Sequence, residues 1–222
     1  MNRSEMATAV RRTLNDFSTE FISTSQMYDA LHEAAQELNE HAEVNRANTT
    51  VNLADRTREY SLSGGVMDIY RVRLGTGSSR RKLEPLSVAA FDRNHEDWES
   101  GTAGIPSRYY WDGSTIGFDP YPTSTVAAAT VYMRVLKDVP AFSNATSTPS
   151  WCPDRYHRTI VKKAAINLAG GPGADTDTNA VRLQKLYAEY LKEADKLKGL
   201  VRNRSREYQQ SITPIGYGRF RR

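Results

Sequence analysis

The sequence predicts an α+β protein: a helical bundle from its N- and C-terminal helices, an inserted antiparallel β domain, and an extended C-terminal arm. Three observations carry this. Apolar residues recur every three or four positions in residues 1–48 and again in 143–199. Between 49 and 142 the period falls to two, broken by Gly64-Gly65, Gly75, Gly77 and Asp112-Gly113. The last stretch, 200–222, sets Arg202, Arg204, Arg206, Arg219, Arg221 and Arg222 against Glu207 alone and has almost no apolar period.

In the first segment Met6, Val10, Leu14 and Phe17 form a short apolar stripe. A second helix has a clearer start: Ser23 can cap it, Gln26 completes a capping box, and Ile22 can staple onto Met27. Its face is Met27, Leu31, Ala34, Ala35, Leu38 and Ala42, while Glu33, Glu37, Glu40 and Glu43 make the remainder acidic. Residues 1–48 hold four basic against eight acidic side chains, the wrong sign for a DNA-recognition helix.

The β segment is expected to hold five or six strands. Val51 and Leu53, then Tyr60 and Leu62, then 69–74 alternate with polar neighbours. Gly75 to Ser79 reads as a loop ending in Arg80, Arg81 and Lys82. Pro85 to Trp98 reads as a short connecting helix from near Ser87, with Phe91 facing inward. Further strands are expected at 108–111, 115–118 and 126–136, the first two joined through Asp112-Gly113. Pro120 and Pro122 stop the second of these, because proline cannot donate to a ladder.

Helices return after a polar loop at 143–150. Pro153 suits a first turn, with Tyr156, Ile160, Ala164 and Leu168 along one side and Gly170-Gly171-Pro172-Gly173 as the end. Thr176 or Asp177 opens another, whose stripe is Leu183, Leu186, Tyr187, Tyr190, Leu191, Ala194 and Leu197, with Gly199 as its exit. No stripe can bury itself alone, so the two helical ends are expected to pack as one bundle. Beyond Gly199 the chain is net +5, against about −1 for everything before it, and it lacks the apolar content for a core. An arm that orders against an acidic or phosphate-bearing partner is expected.

Composition narrows the function. No run approaches the roughly 20 apolar residues that span a bilayer. The opening MNRSEMATAVRR lacks a signal peptide's apolar region, and Cys152 is the sole cysteine, so synthesis in a cytoplasm is expected. His32, His41, His95 and His157 lack the spacing of a helical zinc site. His157 and Cys152 have no third group to orient a nucleophile and its base. The glycine pairs lack a Gly-Lys-Ser/Thr ending, and Asp112 and Asp119 are better used in their turns than as paired carboxylates. Tyr109, Tyr110, Trp111, Phe118, Tyr121 and Tyr132 suit a sheet core or subunit interface better than a base-stacking platform. No catalytic, cofactor-binding or metal residue is expected, and no enzymatic activity. Arg80, Arg81 and Lys82, with no acid before Glu84, are the candidate channel- or DNA-facing group, weighed against a solvated loop.

Several stretches in order resemble one family. They are Leu14-Asn15-Asp16 with 27–34 (MYDALHEA), Tyr60-Ser61-Leu62 with 67–72 (MDIYRV), and 104–113 (GIPSRYYWDG) leading to 116–122 (IGFDPYP), then the helix from Trp151-Cys152-Pro153 to Leu168. This chain resembles the head-to-tail adaptor (connector) proteins of tailed bacteriophages, and the flat β insert favours the tail-tube adaptor type of short-tailed phages. The resemblance implies a structural virion protein at the head–tail junction, made in the host cytoplasm and needing no cofactor or membrane. It implies a homo-oligomeric ring, commonly of twelve, beneath the portal protein. Such a ring carries the tail tube, a nozzle or the next connector layer, and surrounds a channel for double-stranded DNA.

The family's C-terminal segment often grips the portal. That makes Arg202, Arg204, Arg206, Arg219, Arg221 and Arg222 the charges of a portal-docking arm, with Tyr208, Ile212, Ile215, Tyr217 and Phe220 as anchors between them. A near-neutral body with its positive excess in an arm suits a channel past which DNA slides. The alternative is a DNA-binding packaging accessory that uses the same basic arm.

Overall fold

The computed structural model describes residues 1–14, 22–62, 64–76, 79–87, 89, 103–142, 144–169 and 176–210. In the last helix side chains are described for 181–203. The chain divides into two compact units: Met1–Val44 with Val139–Arg222, and Asn45–Asp138.

The first unit is helical. Helix α1 spans Arg3–Leu14 and α2 spans Thr24–Ala42. A 3-10 turn at Asp154–Tyr156 leads into α3, His157–Ala169, and α4 runs Thr176–Gln210. The α2 start is the capping box read from the sequence: Gln26 N–H donates to Ser23 Oγ at 3.2 Å, and Ser23 N–H donates to Gln26 Oε1 at 2.9 Å. Two of the four orphan donors of a helix start are satisfied this way. The whole expected α2 face, Met27, Leu31, Ala34, Ala35, Leu38 and Ala42, is buried, and Ile22 lies against the same core. Helix α3 packs on α1, α2 and α4. Its Ile160, Ala164 and Ala165 meet Met6 and Val10 of α1 and Tyr190, Ala194 and Leu197 of α4 in one cluster.

Ion pairs lace the bundle's rim. Lys162 Nζ lies 3.0 Å from Glu189 and 2.8 Å from Glu193, and Lys163 Nζ lies 2.7 Å from Glu37. Burial pulls Lys162 down, but hydrogen bonds and attraction from Glu193 and Glu189 outweigh it and hold the ammonium above its ordinary value.

Two expectations for α4 need correction. Gly199 does not end the helix; the backbone stays helical to Gln210. A glycine costs a helix interior about 1 kcal/mol, and packing of Leu197 and Val201 on either side of it outweighs that. Tyr187 and Leu191, placed on the inner stripe by their spacing, are instead exposed. The stripe that α4 buries is the narrower one through Leu186, Tyr190, Ala194, Leu197 and Val201. Glycines 170–173, Phe17 and the expected helix within 85–98 fall largely or wholly outside the described residues.

The second unit has two four-stranded sheets and a two-stranded one, more strands than the five or six expected. The first sheet comprises β1 (Arg46–Asn52), β3 (Val66–Thr76), β4 (Ser79–Lys82) and β10 (Thr130–Lys137), in the order β1-β10-β3-β4 and wholly antiparallel. The second comprises β2 (Glu59–Ser61), β5 (Glu84–Pro85), β7 (Arg108–Asp112) and β8 (Thr115–Asp119), in the order β2-β8-β7-β5. Strands β6 (Ala103–Gly104) and β9 (Tyr121–Pro122) pair in parallel, as do β5 and β7, so the insert is mainly but not entirely antiparallel. Val72, Leu74, Val131, Met133 and Val135 from the first sheet meet Tyr109, Ile116 and Phe118 from the second in one core.

The β7–β8 hairpin turns as the sequence indicates. Asp112 pairs with Thr115, which leaves Gly113-Ser114 as a two-residue loop, and Gly113 supplies the positive φ of 56° that such a turn requires. Two local expectations were wrong. Arg80 to Lys82 is a strand and not the end of a loop, because Thr76 pairs directly with Ser79 and continues the ladder. Val126–Ala129 is a turn and not the start of β10; its amides bond back to Thr123 and Val126.

Candidate functional site

The outward face of the first sheet is the most distinctive surface of the described chain. Val72 and Leu74 of β3, and Val131, Met133 and Val135 of β10, point into the core. Period two therefore sends Arg71 and Arg73, Tyr132 and Arg134 the other way. The register sets them side by side. Arg73 lies between Tyr132 and Lys82, Arg71 lies opposite Arg134, and Gly75 lies between Thr130 and Arg80. On the far side β1 adds Asn48, Thr50 and Asn52, opposite Arg134, Tyr132 and Thr130. At strand spacing of about 4.8 Å the four strands make a face about 14 Å across, centre to centre.

Two tyrosines on this sheet carry guanidinium groups over their rings. Arg80 sits 4.3 Å from the Tyr132 centroid, and Arg46 sits 4.5 Å from that of Tyr70. Such stacking holds a long side chain in place at the sheet surface without cancelling its charge. Arg71, Arg73, Lys82 and Arg134 enter none of the ion pairs among the described residues. None of the outward strand positions holds a carboxylate.

The sequence reading found part of this surface. Arg80 and Lys82 are on it; Arg81 is not, since it pairs with the inward-facing Leu74 and lies exposed at the edge of the opposite face. Arg71, Arg73 and Arg134 were missed. Their signal was present as Arg-x-Arg and Tyr-x-Arg alternation inside apolar strands, but a contiguous run of charge is easier to notice than an alternating one. The unit remains near neutral in sum, with its acids elsewhere, so the expected neutral body conceals a strong local separation of charge.

Of the arm residues, Arg202 is described and lies exposed near the end of the α4 packing. Arg204, Arg206 and Tyr208 lie on the helical backbone, where their side chains are not described. Ile212, Ile215, Tyr217, Arg219, Phe220, Arg221 and Arg222 fall outside the described residues.

The candidates for chemistry take structural places. His157 is fully buried, with Nε2 3.1 Å from the Cys152 carbonyl oxygen and Nδ1 2.8 Å from the Met1 amino group. The imidazole thus meets the Cys152 backbone and not its thiol. Burial, helped by the Asp154 carboxylate, pushes that thiol up to about 12, which keeps it protonated at neutral pH. Asp119 pairs with Arg108 at the base of the hairpin, while Asp112 sits at its tip, so the two carboxylates do not converge. Tyr109, Tyr110 and Phe118 are core residues, and Trp111 and Tyr121 are half-buried. Among the described residues no group of three or more His, Cys, Asp or Glu could hold a metal ion. No described helix is long and apolar enough to cross a membrane.

A non-catalytic α+β subunit with a cationic sheet face belongs to the class of structural and binding proteins. More particularly, a family model described as SU10 adaptor protein matches residues 1–215, and the chain belongs to that family. No curated protein matches it. Membership makes it a phage adaptor, a structural component of the virion that works through contacts with portal and tail components.

Proposed function

We propose that this adaptor closes into a homo-oligomeric ring of twelve subunits beneath the portal protein. There it carries the tail tube, a nozzle or the next connector layer and surrounds the channel for double-stranded DNA. The observation that carries the reading is the family match, which runs over nearly the whole chain. A two-sheet β unit inserted in a helical bundle favours the tail-tube adaptor of short-tailed phages. Ring closure needs two different, complementary surfaces on each subunit.

The arm is the portal-docking element in this reading. Its arginines supply attraction to acidic groups, and Tyr208, Ile212, Ile215, Tyr217 and Phe220 supply apolar anchors. Because α4 is helical to Gln210, the docking segment has a helical base, and residues 211–222 form its end.

Electron-microscopic averaging of the purified chain, with and without portal, tests the proposal. A closed ring of one stoichiometry is expected, with portal attachment lost when residues 211–222 are removed. A chain that stays monomeric in the presence of portal, or rings that attach normally without the arm, would overturn it. The packaging-accessory alternative expects the same truncation to abolish DNA binding and spare portal attachment. The cationic sheet face weighs against that alternative, since it offers DNA a surface outside the arm.

A further inference from the structure

We infer that the outward face of the β1-β10-β3-β4 sheet binds the phosphate backbone of duplex DNA through Arg71, Arg73, Arg80, Lys82 and Arg134. The identity of the DNA rests on the adaptor reading; the binding itself does not.

Like charges are directly opposed across neighbouring strands. Arg71 faces Arg134, and Arg73 faces Lys82. Such pairs destabilise a sheet, and no carboxylate occupies an outward strand position to offset them. An acidic ligand relieves both pairs at once. A single carboxylate or free phosphate reaches one pair, whereas a polymer of phosphates reaches all five cations. Four of the five cations are arginines, whose planar donor forks match phosphate oxygens in pairs.

Duplex backbone is favoured over single-stranded bases by the aromatics. A base-stacking platform needs open ring faces. Tyr132 already carries Arg80 on its ring, and its edge lies against Gly75, so the ring positions a cation and offers little for a base. The face is a sheet surface with no helix or loop projecting from its described strands to enter a groove, so contact is with phosphates and is independent of base sequence. Charge complementarity favours DNA over an acidic protein as well. An interface core with a protein partner is enriched in apolar and aromatic residues and depleted of charge. This face has the opposite composition. Several phosphate contacts per subunit make it a surface that holds DNA, not one past which DNA slides freely.

The test uses the full chain with a fluorescein-labelled 20-base-pair duplex, measuring anisotropy between about 50 and 200 mM NaCl. The variant Arg71→Gln/Arg73→Gln/Lys82→Gln/Arg134→Gln removes four contacts. The slope of log K against log salt should become shallower by about 3.6, at about 0.9 per phosphate. At 100 mM salt, binding should fall at least about a hundredfold. Arg81→Gln, on the other face, should change affinity less than about threefold. Arg219→Gln/Arg221→Gln/Arg222→Gln should leave most of the slope in place. Near-ultraviolet circular dichroism checks the fold. Should the fourfold variant not fold, Arg73→Gln and Arg134→Gln singly should each lower the slope by about one. Arg71→Lys/Arg73→Lys/Arg134→Lys should retain it.

Sheet variants within threefold of the wild type overturn the inference, as does wild-type binding that the arm variant abolishes. So does a fourfold variant that fails to attach to portal or tail but binds DNA normally, which would make the face a protein dock. None of these readouts needs a ring. Absence of rings with sheet-dependent DNA binding would overturn the adaptor ring alone.

Discussion

The Tyr132 ring fills the space that a side chain at Gly75 would need. A Cβ there would come within 2.7 Å of the Tyr132 Cε2 and 3.2 Å of the Thr130 carbonyl oxygen. This cross-strand contact holds Tyr132 where Arg80 can cover it. Gly75→Val should dislodge the ring and free Arg80, lowering stability by about 1–3 kcal/mol through overpacking. In Tyr132→Ala the same substitution should cost much less. Urea titrations of the two single variants and the double variant should give a coupling of at least about 0.5 kcal/mol. Additive effects would refute the contact.

Gly199 lies inside α4, and a Cβ there meets nothing within 4 Å. Gly199→Ala should therefore stabilise the helical unit by about 0.5–1 kcal/mol, by restricting the unfolded chain and improving helix propensity. Thermal melting is the measurement, with a rise in Tm expected. A fall would mean that the helix does not continue through this residue in solution.

Ser23 anchors the α2 start. Ser23→Ala should cost about 1 kcal/mol, and Gln26→Ala should cost less in that background than in the wild type, because the two hydrogen bonds form one box. Chemical denaturation of the four-member set settles it. Equal costs of Gln26→Ala in both backgrounds would show that the box does not act as a unit.

Two buried acids set the alkaline limit of the bundle. Burial pushes Tyr190 up to about 12, aided by Glu37 and Tyr187, and pushes Cys152 to about 12 as well. Both folded values exceed the unfolded ones, so these groups contribute stability that is fully present below the unfolded values. That contribution is lost as pH rises through the folded values. Helical circular dichroism should fall between about pH 9 and 12, and Tyr190→Phe should move the midpoint upward. At pH 8 a disulfide reagent should label Cys152 no faster than the protein unfolds. Rapid labelling of the native chain would place the thiol at the surface.

Local signals were legible where they act within one element. The Ser23–Gln26 box and the α2 face depend on spacings of three and four residues, and both are present. The β7–β8 turn was readable because Gly113 provides a backbone angle that few other residues adopt. Reading failed where tertiary contacts decide. Gly199 resembles an exit until Leu197 and Val201 are seen in the same core. Arg80 to Lys82 looks like a loop end until β4 is seen to pair with β3. The cationic face depends on register between β3 and β10, strands far apart in sequence, and register is not written in either strand alone.

Helix α4 also sets a length scale. From Arg202 to Gln210 its backbone continues for nine residues, a rise of about 13 Å at 1.5 Å per residue. A rod of that size fixes the stand-off between the bundle and whatever the chain's end grasps. Inserting or deleting one residue there would rotate the grasping end by about 100° while barely changing its reach. Angular phase, more than distance, is the quantity this helix delivers to its partner.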